Sequence, residues 1–204
     1  MRRSRPLPVA LAGLALLLAG SARAGEWAGC EMKTAYVYNF AKFVDWPSPD
    51  SDPRPLPFVI GVFGDDSLIH RMAGLLKDHT VRGRSVIVRR LISAEQGRAC
   101  QVVVLPEAEG DRIGQCLAAL EAWPVLTVGE GIQFAEAGGM IGFYVESERL
   151  RFAINPEAAQ RGRLQISAKL LALATVVHDQ SRPPSPGTPP AAQDRGGVEE
   201  ERRP

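Results

Sequence analysis

Between residues 58 and 128 the chain carries three short, uninterrupted apolar runs, Phe58-Val59-Ile60-Gly61-Val62-Phe63, Val102-Val103-Val104-Leu105 and Val125-Leu126-Thr127-Val128. None alternates apolar with polar residues, so each reads as a strand covered on both faces, which places it in a helix-flanked parallel sheet. The intervening segments suit that reading. Gly64-Asp65-Asp66-Ser67 offers a strand-to-helix turn with capping acceptors ahead of a helix ending near Leu75 or Leu76, and a second helix runs from about Asp111 to Glu121 before Trp123-Pro124 closes it. Ser85-Val86-Ile87-Val88-Arg89-Arg90-Leu91 adds a strand whose two arginines place it at an edge or open end. Strand and helix in alternation predict an α/β fold with a mostly parallel sheet covered by helices.

The pattern changes after Gly138-Gly139. Met140-Ile141-Gly142-Phe143-Tyr144-Val145 and Arg149-Leu150-Arg151-Phe152-Ala153-Ile154 are separated only by Glu146-Ser147-Glu148, so a C-terminal antiparallel hairpin is expected to finish the sheet. Asn155-Pro156-Glu157 starts a helix, with Asn155 as cap and Pro156 at the first helical position, and Gly162 ends it. A short extended piece over 164–166 leads to Ser167, which caps a last helix expected to bury Leu170, Leu171, Ala174 and Val177.

Upstream, Thr34-Ala35-Tyr36-Val37-Tyr38-Asn39-Phe40-Ala41-Lys42-Phe43-Val44-Asp45-Trp46-Pro47 reads as an aromatic-rich helix that Trp46-Pro47 stops. Met32, Tyr36, Asn39, Phe40 and Phe43 share a helical spacing and are expected to form its buried face, as core packing rather than a ligand box. Asn39 on that face needs partners for its amide and is expected to bond backbone in a neighbouring loop. The proline-rich stretch over 48–57 is a surface connection.

The two ends stand apart from this core. A basic start (Arg2, Arg3, Arg5), an apolar run from Leu7 to Ala19 and the small residues of Ala22-Arg23-Ala24 predict a signal peptide over 1–24, cleaved after Ala24 and releasing the chain into the periplasm. Trp27-Ala28-Gly29-Cys30 ends like a lipidation box, but Arg23, Glu26 and Trp27 separate it from the apolar run, so release is favoured over a lipid anchor. Beyond a single domain over 30–178, residues 179–204 turn to Pro, Gly, Ser and charge and are expected to form a disordered proline-rich tail. Losing the signal peptide turns a formal charge of +1 into one of about −3, which argues against a nucleic-acid partner.

Chemistry is sparse. His70, His79 and His178 are scattered, no nucleophile elbow, phosphate loop or paired-histidine helix is present, and Asp65-Asp66 would repel the phosphate that Gly61 and Gly64 suggest. No catalytic residue, metal ligand or cofactor site is assigned. Cys30, Cys100 and Cys116 match no zinc or redox spacing, so a structural bridge with one spare thiol is expected. Cys100 and Cys116 flank one strand-helix unit and are the disulfide candidates, leaving Cys30, near a frayed terminus, as the spare thiol. Arg82, Arg84, Arg89, Arg90 and Arg98 crowd the middle of the chain, where a basic face would steer it towards an acidic partner.

Several segments together resemble the YfiR family: the aromatic helix with Tyr36, Asn39, Phe40, Lys42, Trp46 and Pro47; the strand around Gly61; Gly138-Gly139; Phe152 to Asn155; and the stretch from Ile166 to Ala174 with Ser167 and Lys169. The resemblance covers about 32–176. It implies a periplasmic, non-enzymatic regulator that binds the periplasmic domain of an inner-membrane diguanylate cyclase and represses it, lowering cyclic-di-GMP and biofilm formation. It also implies an outer-membrane lipoprotein that sequesters the repressor, and it leaves a homodimer open. Cys100, just before a strand, sits where members often carry a disulfide cysteine, but this chain has no cysteine in the 140–154 hairpin or near Phe58, so the family pairing does not transfer. The alternative from another class is a periplasmic small-molecule-binding protein using the strand-end crevice of the sheet.

Overall fold

The computed structural model describes residues 29–47, 56–64 and 66–180. The expected signal peptide, most of the proline-rich connection, Asp65 and the residues from 181 onward lie outside the described residues. The chain enters through helix α1 over 29–43 and the two-residue strand β1 (Val44–Asp45). Strand β2 (Phe58–Val62), helix α2 (Asp66–Leu76), strands β3 (Thr80–Val81) and β4 (Arg84–Arg90) and helix α3 (Ala94–Gly97) follow. Then come strand β5 (Val102–Leu105), helix α4 (Gly110–Leu120), strand β6 (Leu126–Glu130), helix α5 (Ile132–Glu136) and strand β7 (Ile141–Glu146). Strand β8 (Arg149–Ile154), helix α6 (Pro156–Arg161), strand β9 (Gln165–Ile166), helix α7 (Ala168–Leu171) and strand β10 (Thr175–Val176) complete the order.

Among the described residues the strands form one eight-stranded sheet, ordered β10-β8-β7-β6-β5-β2-β4-β3, and a separate β1-β9 pair. Its centre is parallel: Ile60 of β2 faces Val88 on one side and Val102 on the other, Val104 faces Val128, and Val128 faces Ile141. This is the helix-covered, mostly parallel α/β sheet that the uninterrupted apolar runs require. β7 and β8 form the expected antiparallel hairpin. Ser147 and Glu148 turn it with φ of 49° and 61°, the left-handed pair that lets a two-residue loop follow the strand twist. β4 lies one place from the sheet margin, beside a β3 that pairs only with Arg84 and Ser85. That suits its arginines.

Two cores flank the sheet. One gathers α1, α2, α6 and α7 over Phe58, Ile60, Val62, Val128, Ile141 and Phe143. The other is smaller and sets Cys116, Leu117 and Leu120 of α4 and Phe134 of α5 against Val103 and Leu105.

The aromatic helix turns a different side to the core than expected. Thr34, Val37, Phe40, Ala41 and Val44 are buried, whereas Met32, Asn39 and Phe43 are exposed. Small and β-branched side chains let the helix lie close to the sheet, so the inward stripe runs through Val37 and Ala41, and the rings of Tyr36 and Tyr38 pack from its flanks. The helix also ends earlier, because Val44 and Asp45 leave it to pair with Ile166 and Gln165 before Trp46-Pro47 is reached.

The last helix is likewise shorter than the expected run to Val177. It stops at Leu171, and Thr175 and Val176 become a strand parallel to β8, opposite Ala153 and Ile154. An open sheet edge outcompetes helix propensity at β-branched residues, and Val177 N extends the ladder by donating to Ile154 O at 2.9 Å. The hairpin therefore does not close the sheet; β10 lies outside it.

Candidate functional site

Strands β5, β6 and β7 run parallel and end on the same side of the sheet, the position at which open α/β sheets form crevices. β6 stops at Glu130, opposite Phe143, so Tyr144, Val145 and Glu146 of β7 project beyond it. α1 is tied to this rim by Lys33, whose Nζ donates to both Glu130 carboxylate oxygens at 2.7 and 2.8 Å.

Beneath α1 lies an apolar cavity of about 60 Å³, lined by Cys30, Thr34, Val37, Met72, Val128 and Phe143 among others. That is far below the roughly 300 Å³ at which small-molecule pockets begin. On the α4–α5 side a larger open groove of about 660 Å³ shares Glu130 and Phe143 with this cavity. Ile113, Gly114 and Leu117 of α4, Phe134 of α5 and Val145 of β7 line it, and Glu107 adds an acid. Past Gly114, Leu117 and Ala137 it continues into a polar recess of about 240 Å³ that holds Arg161, Glu121 and Asp179. Arg161 Nε lies 2.8 Å from Glu121 Oε1, and its Nη2 donates to Asp179 Oδ2 at 3.0 Å. Gln180 N donates to Glu136 O at 3.0 Å. Asp179 and Gln180, expected in the tail, are therefore tied to the domain, and the tail leaves it beside this recess.

The residues that carried the family resemblance hold the scaffold. Phe40 stacks on Phe143 with centroids 5.6 Å apart and meets Phe152 at 5.0 Å, which locks α1 to the hairpin. Tyr36 joins the same cluster, 5.7 Å from Phe152. Lys42 Nζ sits 4.9 Å over the ring of Tyr38, Trp46 Nε1 donates to Gln101 O at 3.2 Å, and Pro47 is exposed. A Cβ at Gly61 would lie 2.6 Å from Leu91 Cδ1 and 2.8 Å from Cys100 Sγ, so only glycine admits that packing. Gly138 has a φ of 99°, and any side chain on Gly139 would overlap the Phe134 ring. Ser167 caps α7 by accepting from Leu170 N, and Lys169 is exposed.

The buried amide that specifies structure is Asn155, not Asn39. Asn155 is fully buried. Its Nδ2 donates to Ala135 O at 2.8 Å and its Oδ1 accepts from Ala158 N at 2.9 Å, which ties α5 to α6.

All three cysteines are free thiols in this structure, with Cys100 and Cys116 buried in the smaller core and Cys30 half-buried at the α1 cavity. Burial pushes the Cys100 thiol up, partly offset by Arg89, whose Nη2 is 3.6 Å from the sulfur; burial likewise raises Cys116.

The arginines are not gathered into one face. Side-chain alternation along β4 turns Arg84 and Arg90 to one side of the sheet and Arg89 to the other. Each has an intramolecular partner: Arg82 pairs with Asp45, Arg84 bonds Leu56 O and Pro57 O at 2.6 and 2.7 Å, and Arg90 bonds Gly64 O at 3.1 Å. Arg98 lies 5.1 Å over Trp123 and bonds Ala119 O at 3.3 Å.

Sequence reasoning named a crevice at the strand ends of the sheet, but it did not foresee that α4 and α5 wall it, nor the Arg161 recess. α5 is five residues long with no side-chain cap, which hid it; the one available signal was Gly110 and Gly114, four apart on a helix, leaving its face flat.

Such a fold, an open-sheet α/β domain with a wide groove at its strand ends, is common to many activities. The model of the YfiR/HmsC-like family matches residues 30–175, and the chain belongs to that family. Comparison with curated proteins finds no match. Among solved structures, the chain is similar to a conserved domain protein from Vibrio cholerae, with a TM-score of 0.53 and 12% identity, over 72% of this chain and 59% of that one. At that identity the likeness concerns the fold alone. Among the described residues no helix is long and apolar enough to cross a membrane.

Proposed function

We propose that the protein is a periplasmic, non-enzymatic regulator that binds the periplasmic domain of an inner-membrane diguanylate cyclase and holds it inactive, lowering cyclic-di-GMP and biofilm formation. The observation that carries this reading is the family match, which runs over residues 30–175, from α1 to the first residue of β10. In this reading an outer-membrane lipoprotein sequesters the regulator and relieves the inhibition. The partner surface is the sheet margin along β4. Residues 86–90 extend past β3 there, and Arg82, Arg84, Arg89 and Arg90 line that margin to meet an acidic partner. Arg82, Arg84 and Arg90 already hold a loop carbonyl or carboxylate, so reversing their charge should slow association and also loosen those loops.

Deletion in a strain with an active cognate cyclase tests the regulatory role. Cyclic-di-GMP and surface attachment should rise, and the purified protein should retain the cyclase's periplasmic domain on a column. Unchanged cyclic-di-GMP together with no retained cyclase sinks this reading. The second reading, a small-molecule binder, is favoured by one observation, the groove volume of about 660 Å³, which falls within the range of ligand pockets of roughly 300–1,000 Å³. Ligand-dependent thermal stabilisation without cyclase binding would select it.

A further inference from the structure

We infer that the partner protein docks by strand addition, with an extended acidic segment of it pairing antiparallel to the open edge of β4 over residues 87–90. This specifies how the sheet margin assigned above to a partner is read, and it rests on that assignment. Among the described residues β3 pairs with β4 only at Arg84 and Ser85, and Val86 N then donates to His79 O at 3.0 Å. Beyond Val86 no described strand lies outside β4. Leu91 N donates to Val62 O at 2.9 Å, which sets the parity of the parallel ladder: Ile87 and Arg89 turn their amides and carbonyls to β2, and Val88 and Arg90 turn theirs outward. An edge with free main-chain donors and acceptors is a template for one more strand.

Side chains decide what that strand must carry. Ile87 is 42% exposed, Val88 is half-buried, and Arg89 and Arg90 are exposed. Among the described residues Arg84 bonds Leu56 O and Pro57 O, and Arg89 lies against Gln96 O and Cys100 Sγ. These partners are neutral, so both charges persist, whereas Asp66 lies 3.4 Å from Arg90 and offsets it. Directly opposed pairs stabilise a sheet when they are apolar on apolar or acid on base. The added segment therefore sets two apolar residues against Ile87 and Val88 and two acids against Arg89 and Arg90. Running antiparallel, as β3 does alongside, it reads acid, acid, apolar, apolar. A second copy of β4 does not suit this edge. Every antiparallel register over residues 88–90 sets arginines opposite or diagonal to arginines, and like charges there repel. The same arginines that guard the edge against self-pairing thus select an acidic strand.

The test uses the isotope-labelled chain without residues 1–24 and a capped peptide that reads two glutamates and then two valines between serines. In the free chain the Val88 and Arg90 amides should exchange rapidly. With peptide they should become protected, and shift changes should centre on residues 87–90. Methylating the backbone nitrogens of the first glutamate and first valine, which face β4 in this register, should weaken binding by about tenfold. Methylating the second glutamate and second valine, which face solvent, should change it by no more than about twofold. This pair of peptides leaves the protein itself untouched. Arg89→Glu should weaken binding by about fivefold, and a peptide with lysine in place of its second glutamate should recover it. Amides already protected in the free chain overturn strand addition, as do shifts absent at a few millimolar peptide. So do equal losses from the two methylation patterns, or equal binding of a peptide that alternates the same glutamates and valines. If one of these occurs while the cyclase's periplasmic domain still binds and loses affinity on Arg89→Glu, strand addition fails and the partner reading stands. Peptide binding that passes the methylation test in a protein that retains no cyclase domain keeps strand addition and assigns the edge to another acidic partner.

Discussion

On the face that carries α1, the central strands present Phe58, Ile60 and Val62, then Leu126 and Val128, then Ile141 and Phe143, and the helix answers with Val37, Phe40 and Ala41. On the opposite face the same strands present Val59 and Gly61, then Thr127 and Gly129. The first face is filled by interlocking bulk. The second is filled by removing it: Leu91 and Cys100 occupy the space of a Cβ at Gly61, and the Phe134 ring occupies that at Gly129. Packing by close approach brings α5 down onto the sheet but leaves the flat side of α4 uncovered, which is why the groove lies on that side. Large side chains thus secure one face, while the other depends on backbone proximity, two buried thiols and one buried amide.

The largest expected effect tests the bulk-filled face. Phe40 is fully buried against Tyr36, Phe143 and Phe152. Phe40→Ala should lower the unfolding free energy by about 3–5 kcal/mol, by lost transfer energy and a residual cavity. Urea unfolding with an unchanged slope would assign the loss to the folded state. A loss under about 1 kcal/mol, as for an ordinary surface change, would mean that α1 does not seal this face.

The second test sharpens the account of the opposite face. Cys100 and Cys116 belong to one core cluster, and burial raises both thiols, so neither forms a thiolate readily once the domain is folded. Both are free thiols in this structure; a bridge closed before folding buries them would show in peptide mapping of the protein without reductant as Cys100 bonded to Cys116, with Cys30 free. Closing a loop of about 15 residues stabilises by about 3 kcal/mol, so adding reductant during unfolding should lower stability by that order. A bridge involving Cys30 would break the assignment.

The third concerns the amide that joins α5 to α6. Asn155→Ala leaves Ala135 O and Ala158 N without their side-chain partners. It should cost about 1–3 kcal/mol, the range for a buried polar group left unsatisfied. Because α5 forms a groove wall, amide exchange there should accelerate more than in α1. Equal acceleration in both helices would show that the two faces unfold as one unit.

Sheet class, strand positions and the hairpin were legible because uninterrupted apolar runs and hairpin spacing report burial directly. The strands at Val102–Leu105 and Arg149–Ile154 start and end where the sequence reading placed them. The caps at Asn155 and Ser167 were equally clear, since each supplies an acceptor ahead of a helix. What stayed hidden depends on partners distant in sequence. β1 and β9 are two-residue strands that exist only through each other, β10 forms only because β8 has an open edge, and the groove arises where glycines let α5 approach. That Arg89 turns away from Arg84 and Arg90 could not be read from the run of arginines, because successive side chains on a strand point to opposite faces.

The smallest expected effect falls on Asn39. Five residues at helical spacing, Met32, Tyr36, Asn39, Phe40 and Phe43, suggested a buried stripe, but three of them, Met32, Asn39 and Phe43, stand exposed. The inward stripe is offset to Thr34, Val37, Phe40, Ala41 and Val44. An exposed amide that water can solvate leaves nothing unsatisfied when it is removed, and alanine improves local helix propensity. Asn39→Ala should therefore change stability by no more than about 0.5 kcal/mol, as at other surface positions. If the variant instead lost about 1–3 kcal/mol, the cost of an orphaned buried group, Asn39 would be turned inward and the α1 face would need to rotate by about a third of a turn. A variant of unchanged stability that fails to bind its partner would place Asn39 in the docking surface, and would show that family resemblance at this position tracks recognition rather than packing.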